Sequence, residues 1–272
     1  MKGLASKQET ILQRVKSLVE DDPRFMGMWT VGSMATGKAD KYSDLDLYLL
    51  VETAYYDETY SERSSFAEKI GRILSTFEVD WPNCQLYGVI LDNCIEVDLC
   101  YCKPEQVEIF APYRIVIDKK GNLDELLTKH TISYETDVKK QLTEHMDFAA
   151  YNVLHAINML GRGEYWSAIR QIETLRKRTA GLIGLQTKTD VEEEYRKLES
   201  LVSEEVNKGL QKTLCEYNFE SIAEAISAAT SLFMKEAEML CQKAVMVFPS
   251  ERFERLLHYL TEIRSEQKTN SR

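Results

Sequence analysis

The chain has 272 residues, of which 44% are hydrophobic, and it carries a formal net charge of −10. This composition is that of an ordinary globular protein, and the length predicts one large domain or two modest ones. The acidic balance argues against general binding of nucleic acids, which normally requires a basic surface. We therefore expect no nucleic-acid partner, and a small neutral or cationic ligand is electrostatically easier to bind.

No segment approaches the roughly eighteen consecutive apolar residues that a membrane-spanning helix needs. The first ten residues lack the apolar core of a signal peptide, so we expect a cytoplasmic protein with no membrane partner. The six cysteines are scattered and form no Cys-x-x-Cys pair. This usage predicts free thiols rather than disulfides or a zinc cluster.

Up to about residue 118, short strand-like segments alternate with helical ones. Apolar spacing predicts helices at residues 8–20 and 61–77, the second with Ser61 as its N-cap. Strands are predicted at residues 25–31, 45–51, 85–91, 95–102 and 114–117. Asp92 and Asn93 have the chemistry of a hairpin turn between the third and fourth of these strands.

From residue 123 onward nearly every segment has the helical period. Helices are predicted at residues 137–160, 164–183, 191–208, 222–246 and 251–263, with a break at 161–163. The change in pattern between residues 118 and 135 predicts an α+β protein with two domains. Residues 1–120 would form a mixed β-sheet with flanking helices, and residues 121–272 a C-terminal α-helical bundle.

The most informative segment begins with Gly32-Ser33 after the first strand and reaches Asp44-Leu45-Asp46 at the start of the second. Residues two apart on a strand point to the same face, so both carboxylates are presented together. Two oxygen donors at this separation suit Mg²⁺, which is usually bound by a few carboxylates, phosphate oxygens and water. Gly32 allows the backbone to approach a phosphate, and the Ser33 hydroxyl can bind its oxygens. The spacing therefore predicts a site for a metal ion and a triphosphate.

A third acid is expected from the strand at residues 95–102, where Glu96 and Asp98 share a face. Carboxylates within an apolar strand are costly to bury unless a positive charge compensates them. Asp98 lies deeper in the apolar run and is the preferred metal ligand, with Glu96 as the alternative. Lys38 is a candidate phosphate contact, and its interpretation as a solvated loop lysine is equally well supported. Lys41 is a weaker candidate for a phosphate contact.

Together, Gly32-Ser33, Asp44-x-Asp46 and Asp98 resemble the signature of the DNA polymerase β-type nucleotidyltransferase superfamily. Within it the chain is most similar to antibiotic nucleotidyltransferases, closest to the two-domain lincosamide enzymes and next to the aminoglycoside adenylyltransferases. The similarity runs almost end to end and includes residues 42–44, 157–165 and 253–260. All three acids are Asp here, whereas those lincosamide enzymes have Glu at some of these positions, which weakens any inference about the substrate.

The resemblance implies a nucleotidyltransferase domain followed by a helical domain that helps to bind the acceptor in a cleft. It implies that Asp44, Asp46 and Asp98 bind metal, with two Mg²⁺ ions expected, and that Asp98 is also the base towards the acceptor hydroxyl. The cosubstrate would be ATP, with Gly32, Ser33 and Lys38 contacting it. The partners would then be a nucleoside triphosphate and a small hydroxylated acceptor, bound by a monomer or a homodimer.

Three functions follow from these features. The first is transfer of AMP to a small molecule such as a lincosamide or aminoglycoside antibiotic. The second is the same chemistry on a protein acceptor, as in adenylylating toxin–antitoxin systems. The third is a non-catalytic nucleotide-binding module. The presence of all three acids argues against this function, because a site that has lost its activity does not need three uncompensated carboxylates.

Overall fold

The computed structural model describes residues 6–110, 112–132, 137–187, 195 and 198–270. Internal packing divides the chain into two compact units, the first ending at residue 134 and the second beginning at residue 135. In these described ranges, no helix is both long enough and apolar enough to cross a membrane. Each unit buries hydrophobic residues of its own.

Within residues 6–110 and 112–132, the first unit contains a six-stranded sheet, five α-helices, two short 3-10 helices and a small two-stranded sheet. Its helices are α1 (Ser6–Asp21), α2 (Gly32–Ala35), α3 (Tyr56–Ser61), α4 (Arg63–Glu68) and α5 (Leu123–Lys129). Its strands are β1 (Phe25–Thr30), β2 (Leu45–Val51), β3 (Ile73–Asp80), β4 (Gln85–Leu91), β5 (Glu96–Cys102), β6 (Ile109–Phe110), β7 (Arg114–Asp118) and β8 (Thr131–Ile132). The strands predicted from periodicity in this half are all present, with ends that differ by a residue or less.

The main sheet is mixed, in the order β3-β4-β5-β2-β1-β7. Strands β2 and β5 are parallel neighbours at its centre, and every other pair in the sheet is antiparallel. A parallel pair requires a crossover connection, and the chain between β2 and β5 supplies it through α3, α4, β3 and β4. This order places the beginnings of β2 and β5 side by side.

Side chains alternate between the two faces of the sheet along the central strands β2 and β5, and each face packs into a different hydrophobic core. On one face, Leu45, Leu47 and Leu49 of β2 join the larger core, which also takes up α1 residues such as Leu12 and Val15. The opposite face carries Leu50, Cys100 and Cys102 against α5. Because residues two apart share a face, Asp46 and Asp98 lie on the same side as this smaller core.

The helix predicted at residues 61–77 is wrong. Ser61 ends α3 instead of capping a helix, α4 stops at Glu68, and Ile73–Asp80 forms the edge strand β3 paired with β4. The apolar spacing of Phe66, Ile70 and Leu74 imitates a helical stripe but crosses the turn at Gly71. Beyond that turn the β-branched and aromatic residues favour a strand, and pairing with β4 satisfies their backbone.

The second unit is helical. Its helices are α6 (Val138–Gly161), α7 (Tyr165–Thr187), α8 (Leu198–Leu201), α9 (Glu204–Gln211), α10 (Phe219–Ala244) and α11 (Ser250–Asn270). Helices α6, α7, α10 and α11 bury one continuous core that includes Phe233 and Phe253, both fully buried. A mixed sheet with flanking helices followed by a helical bundle confirms the predicted α+β fold class.

The single helix predicted at residues 191–208 is partly wrong. Residues 191–194, 196 and 197 lie outside the described residues, and from residue 198 onward α8 and α9 are separate helices with a break at Val202 and Ser203. The Ser203 side chain accepts a hydrogen bond from the backbone N–H of Val206 and so caps α9. A capping serine competes with helix continuation, which explains the break within an apolar periodic segment.

Candidate functional site

The parallel register of β2 and β5 places Asp46 directly opposite Asp98. Asp44 precedes β2 by one residue, and Glu96 is the first residue of β5. Two of the predicted metal ligands are thus direct cross-strand neighbours, although they are separated by about fifty positions in the chain. The third predicted ligand, Asp44, lies immediately before β2. It is two residues from Asp46 and therefore has the same strand parity.

The carboxyl group of Asp98 is held in an unfavourable electrostatic environment. Its pKa is raised from 3.8 to about 7, chiefly by burial and then by the negative charges of Glu96, Asp46 and Asp44. Its Oδ1 atom is buried and has no hydrogen-bond partner within the described chain. Glu96 is exposed, so Asp98 is the deeper of the two β5 acids. A buried acceptor crowded by like charges is suited to a cationic ligand.

The turn that follows β1 reaches this pair of acids. Gly32 begins α2 with φ at +62°, and a Cβ atom at this position would lie 3.1 Å from Oδ2 of Asp46. The Ser33 hydroxyl is buried and has no hydrogen-bond partner within the described residues. The backbone N–H of Lys38 donates to the Ser33 carbonyl at 2.9 Å, which closes the turn. Gly32 therefore lies beside the Asp46 carboxylate, and the adjacent Ser33 carries a buried hydroxyl.

The two loop lysines occupy exposed positions. Lys38 is exposed where it follows the turn, and Lys41 places its Nζ atom 4.6 Å from the centre of the Tyr42 ring. The ring of Tyr42 is itself 82% exposed. These contacts favour the interpretation of Lys41 as a solvated loop lysine, whereas a phosphate contact of Lys38 stays a prediction.

No three His, Cys, Asp or Glu side chains among the described residues are grouped so that they could hold a metal ion as they stand. The arrangement at Asp44, Asp46 and Asp98 is therefore a cross-strand pair with a third acid nearby, and not a closed ligand set. The metal-binding role of these residues stays a prediction.

Two acidic side chains of the helical second unit, Asp147 and Glu173, have structural partners. Asp147 forms an ion pair with Arg252 at 2.6 Å. Glu173 pairs with Arg176 in the same helix and accepts a hydrogen bond from the hydroxyl of Tyr195 at 2.9 Å. These contacts favour a role in packing the helices. Glu144 and Glu164 remain exposed.

An exposed aromatic cluster lies past the 161–163 break. The ring of Trp166 is 73% exposed and lies 4.7 Å from that of Tyr217, which is also 5.4 Å from the ring of Tyr165. In the same unit His145 is buried, and burial lowers its pKa to about 4. His155 packs against Tyr151.

Sequence reasoning missed one residue that contacts the loop before Asp44. Gln8 is 1% exposed although it is polar, and its side-chain amide donates hydrogen bonds to two carbonyl groups of residues 40–43. A lone glutamine near the beginning of an amphipathic helix carries no signal of such a role. The contact spans more than thirty residues of chain, so only the folded structure shows it.

Gly32→Ala is expected to lower the activity that depends on this site by about tenfold or more. The added Cβ would press on the Asp46 carboxylate, and positive φ costs a non-glycine residue about 1–2 kcal/mol. Gly37→Ala is the matched control, because Gly37 has φ at +70° but nothing within 4 Å of an added Cβ. Both variants should lose similar thermal stability, and only Gly32→Ala should lose activity. Equal activities of the two variants would contradict the close approach of Gly32 to the site.

The mixed sheet brings Asp46 of β2 opposite Asp98 of β5, which is the arrangement expected of a nucleotidyltransferase. The model of the streptomycin adenylyltransferase family matches residues 5–263, which is almost the whole chain. The chain therefore belongs to the streptomycin adenylyltransferase family, and it is a nucleotidyltransferase enzyme. This confirms the predicted resemblance to antibiotic nucleotidyltransferases, while the ranking of the lincosamide enzymes as closest stays a prediction.

Two solved structures resemble this chain over nearly its full length. An aminoglycoside 6-adenyltransferase from Bacillus subtilis is 14% identical, with 96% of this chain and 99% of that chain covered and a TM-score of 0.46. A nucleotidyltransferase-like protein from Exiguobacterium sibiricum is 13% identical, with 98% and 92% covered and a TM-score of 0.37. Among curated proteins, none matches the chain significantly.

Proposed function

We propose that this enzyme transfers AMP from ATP to a hydroxyl group of a small antibiotic acceptor, with Mg²⁺ as the required metal. The observation that carries the proposal is the placement of Asp46 directly opposite Asp98 on parallel strands, with Gly32 against the Asp46 carboxylate. Membership of the streptomycin adenylyltransferase family supports the nature of the transferred group.

The residues at the site fit a divalent cation. Asp98 has a buried oxygen without a partner in the described chain, and the charges of Asp44 and Asp46 reinforce the negative potential there. Like-charged carboxylates repel one another, so we expect these three side chains to close into a ligand set only around a cation. Oxygen ligands of this kind are those that Mg²⁺ prefers. When bound, two Mg²⁺ ions would neutralise charge on the phosphates of the nucleotide.

The chain's own residues then have separate tasks. Asp98 accepts the proton of the acceptor hydroxyl as the oxygen of that hydroxyl bonds to the α-phosphorus. The bond between the α-phosphorus and the bridging oxygen breaks, and pyrophosphate leaves with the electron pair. The backbone at Gly32 and the hydroxyl of Ser33 hold phosphate oxygens, which keeps the triphosphate in line for displacement.

The acceptor we favour is an aminoglycoside, with a lincosamide as the second candidate of the same class. An aminoglycoside is a polycation, and the chain carries a net charge of −10. Opposite net charges raise the local concentration of such a ligand and its rate of association. The family to which the chain belongs is named for an enzyme that acts on an aminoglycoside.

The experiment that tests this proposal incubates the protein with Mg²⁺ and ATP labelled at the α-phosphate. Streptomycin, other aminoglycosides, a lincosamide and whole-cell lysate protein are offered as acceptors in separate reactions. We expect label in an aminoglycoside and equimolar pyrophosphate. Label in polypeptide would replace the small acceptor with a protein, and absence of label from every acceptor would favour a non-catalytic nucleotide-binding module.

A further inference from the structure

We propose that Gln8 is a positioning residue that fixes the loop leading into Asp44 and Asp46. This inference rests on the proposed function, because it concerns the metal-binding role of those two aspartates. Gln8 lies in the first turn of α1, and its side chain is buried with 1% exposure. Its Nε2 atom donates to the carbonyl oxygen of Asp40 at 3.0 Å and to that of Ser43 at 2.7 Å.

The loop at residues 40–43 is an exposed turn with its own hydrogen bonds. The backbone N–H of Tyr42 donates to Oδ1 of Asp40 at 2.8 Å, and the backbone N–H of Asp40 donates to the Ser43 hydroxyl at 2.9 Å. These bonds make the turn a compact unit without attaching it to the core. The amide of Gln8 supplies an attachment by binding the first and last carbonyl groups of the turn.

A primary amide has two N–H donors, and both are used here. Without this donor the Ser43 carbonyl loses its bond to α1, and the Asp40 carbonyl keeps a bond within the turn, from the backbone N–H of Ser43. The turn is then no longer tied to α1 through Gln8, so the loop is expected to move outward. Asp44 follows Ser43 directly. A shift of the turn therefore moves the first metal-binding carboxylate relative to Asp98, and small displacements of this kind weaken both binding and catalysis.

Gln8→Met tests the inference because Met has nearly the same volume, carries no charge and cannot donate a hydrogen bond. Arg14→Ala is the matched control. Arg14 also lies on α1 and donates from Nη1 to a backbone carbonyl, that of Ile70 at 2.7 Å, but this contact is away from the metal-binding loop. A general loosening of α1 would therefore affect both variants.

We expect Gln8→Met to raise the Mg²⁺ concentration that gives half-maximal activity by about tenfold and to lower kcat/KM by a similar factor. Arg14→Ala should leave both within about twofold of the wild type. Two readouts do not depend on turnover. Binding of Mn²⁺, followed by electron paramagnetic resonance, should weaken in Gln8→Met, and hydrogen exchange of the peptide covering residues 39–46 should become faster.

A folded Gln8→Met protein with wild-type Mn²⁺ affinity and wild-type exchange at residues 39–46 would overturn the inference. So would equal changes in Gln8→Met and Arg14→Ala, since these would indicate a role in α1 packing only. If the wild-type protein itself transfers nucleotide independently of Mg²⁺ and binds no Mn²⁺, the proposed function fails instead, whatever exchange shows about the loop.

Discussion

Asp98→Asn is expected to lower the rate of nucleotide transfer by about 10²-fold or more, the effect typical of losing a general base. The substitution keeps the shape of the side chain but removes the proposed proton acceptor and weakens a proposed metal ligand. The rate is measured as pyrophosphate released with a saturating acceptor. A variant within about threefold of the wild type would contradict the assignment of Asp98 as the base.

The stability of this variant separates a catalytic loss from unfolding. The folded-state pKa of Asp98 is about 7 and its ordinary value is 3.8, so ionisation of this group costs stability as the pH rises through that interval. Asn removes the cost, and the Tm at neutral pH should be equal to that of the wild type or higher. A lowered Tm would indicate that the loss of activity is partly structural.

Glu96→Gln is the matched control for Asp98→Asn, because it neutralises the other acid of the same strand face. Glu96 is exposed at the start of β5, whereas Asp98 is half-buried opposite Asp46. We expect Glu96→Gln to retain activity within about threefold, since Glu96 is exposed and affects Asp98 through its charge alone, whereas Asp98 is the proposed base. The opposite result, in which Glu96→Gln is inactive and Asp98→Asn active, would reverse the roles of the two acids.

Asp46→Asn is expected to abolish most of the dependence of triphosphate binding on Mg²⁺. In the wild type, ATP should bind at least about tenfold more tightly with Mg²⁺ than with a chelator, a difference of about 1.4 kcal/mol. In the variant the two affinities should agree within about twofold, because one of the two adjacent carboxylates no longer carries charge. Calorimetric titration of the protein with a non-hydrolysable ATP analogue measures both affinities.

Asp92→Asn is the control for this experiment. Asp92 lies in the exposed turn between β4 and β5, so the substitution makes the same charge change within the same unit but away from the site. It should leave the metal dependence unchanged. Equal binding of the analogue with and without Mg²⁺ by the wild-type protein would contradict the metal-binding role of both Asp44 and Asp46.

Local sequence patterns account for most of the fold. Alternation over residues 45–51 and 95–102 predicted β2 and β5, and the glycines at 161 and 163 predicted the break between α6 and α7. These local patterns gave a wrong prediction where a helical segment and a strand follow one another. At Phe66, Ile70 and Leu74 the spacing favours a helix, but pairing with β4 makes residues 73–80 a strand, because hydrogen bonding across strands outweighs local propensity.

The candidate site, like the fold, is predictable from local sequence patterns only in part. The shared face of Asp44 and Asp46 follows from the two-residue period of a strand, and the depth of Asp98 follows from the apolar residues around it. Their meeting does not follow, because about fifty residues separate them and the parallel pairing of β2 with β5 depends on the order of all six strands.

The sequence by itself determined the residue types, their faces and the α+β order, since these depend on contacts a few positions apart. Only the tertiary structure decided which acids are neighbours, which oxygen of Asp98 is left without a partner in the described chain, and that Gln8 holds the loop before Asp44. The physical reason is that these features require segments distant in the chain to be brought together by burial of two cores, and local periodicity does not encode how distant segments pair.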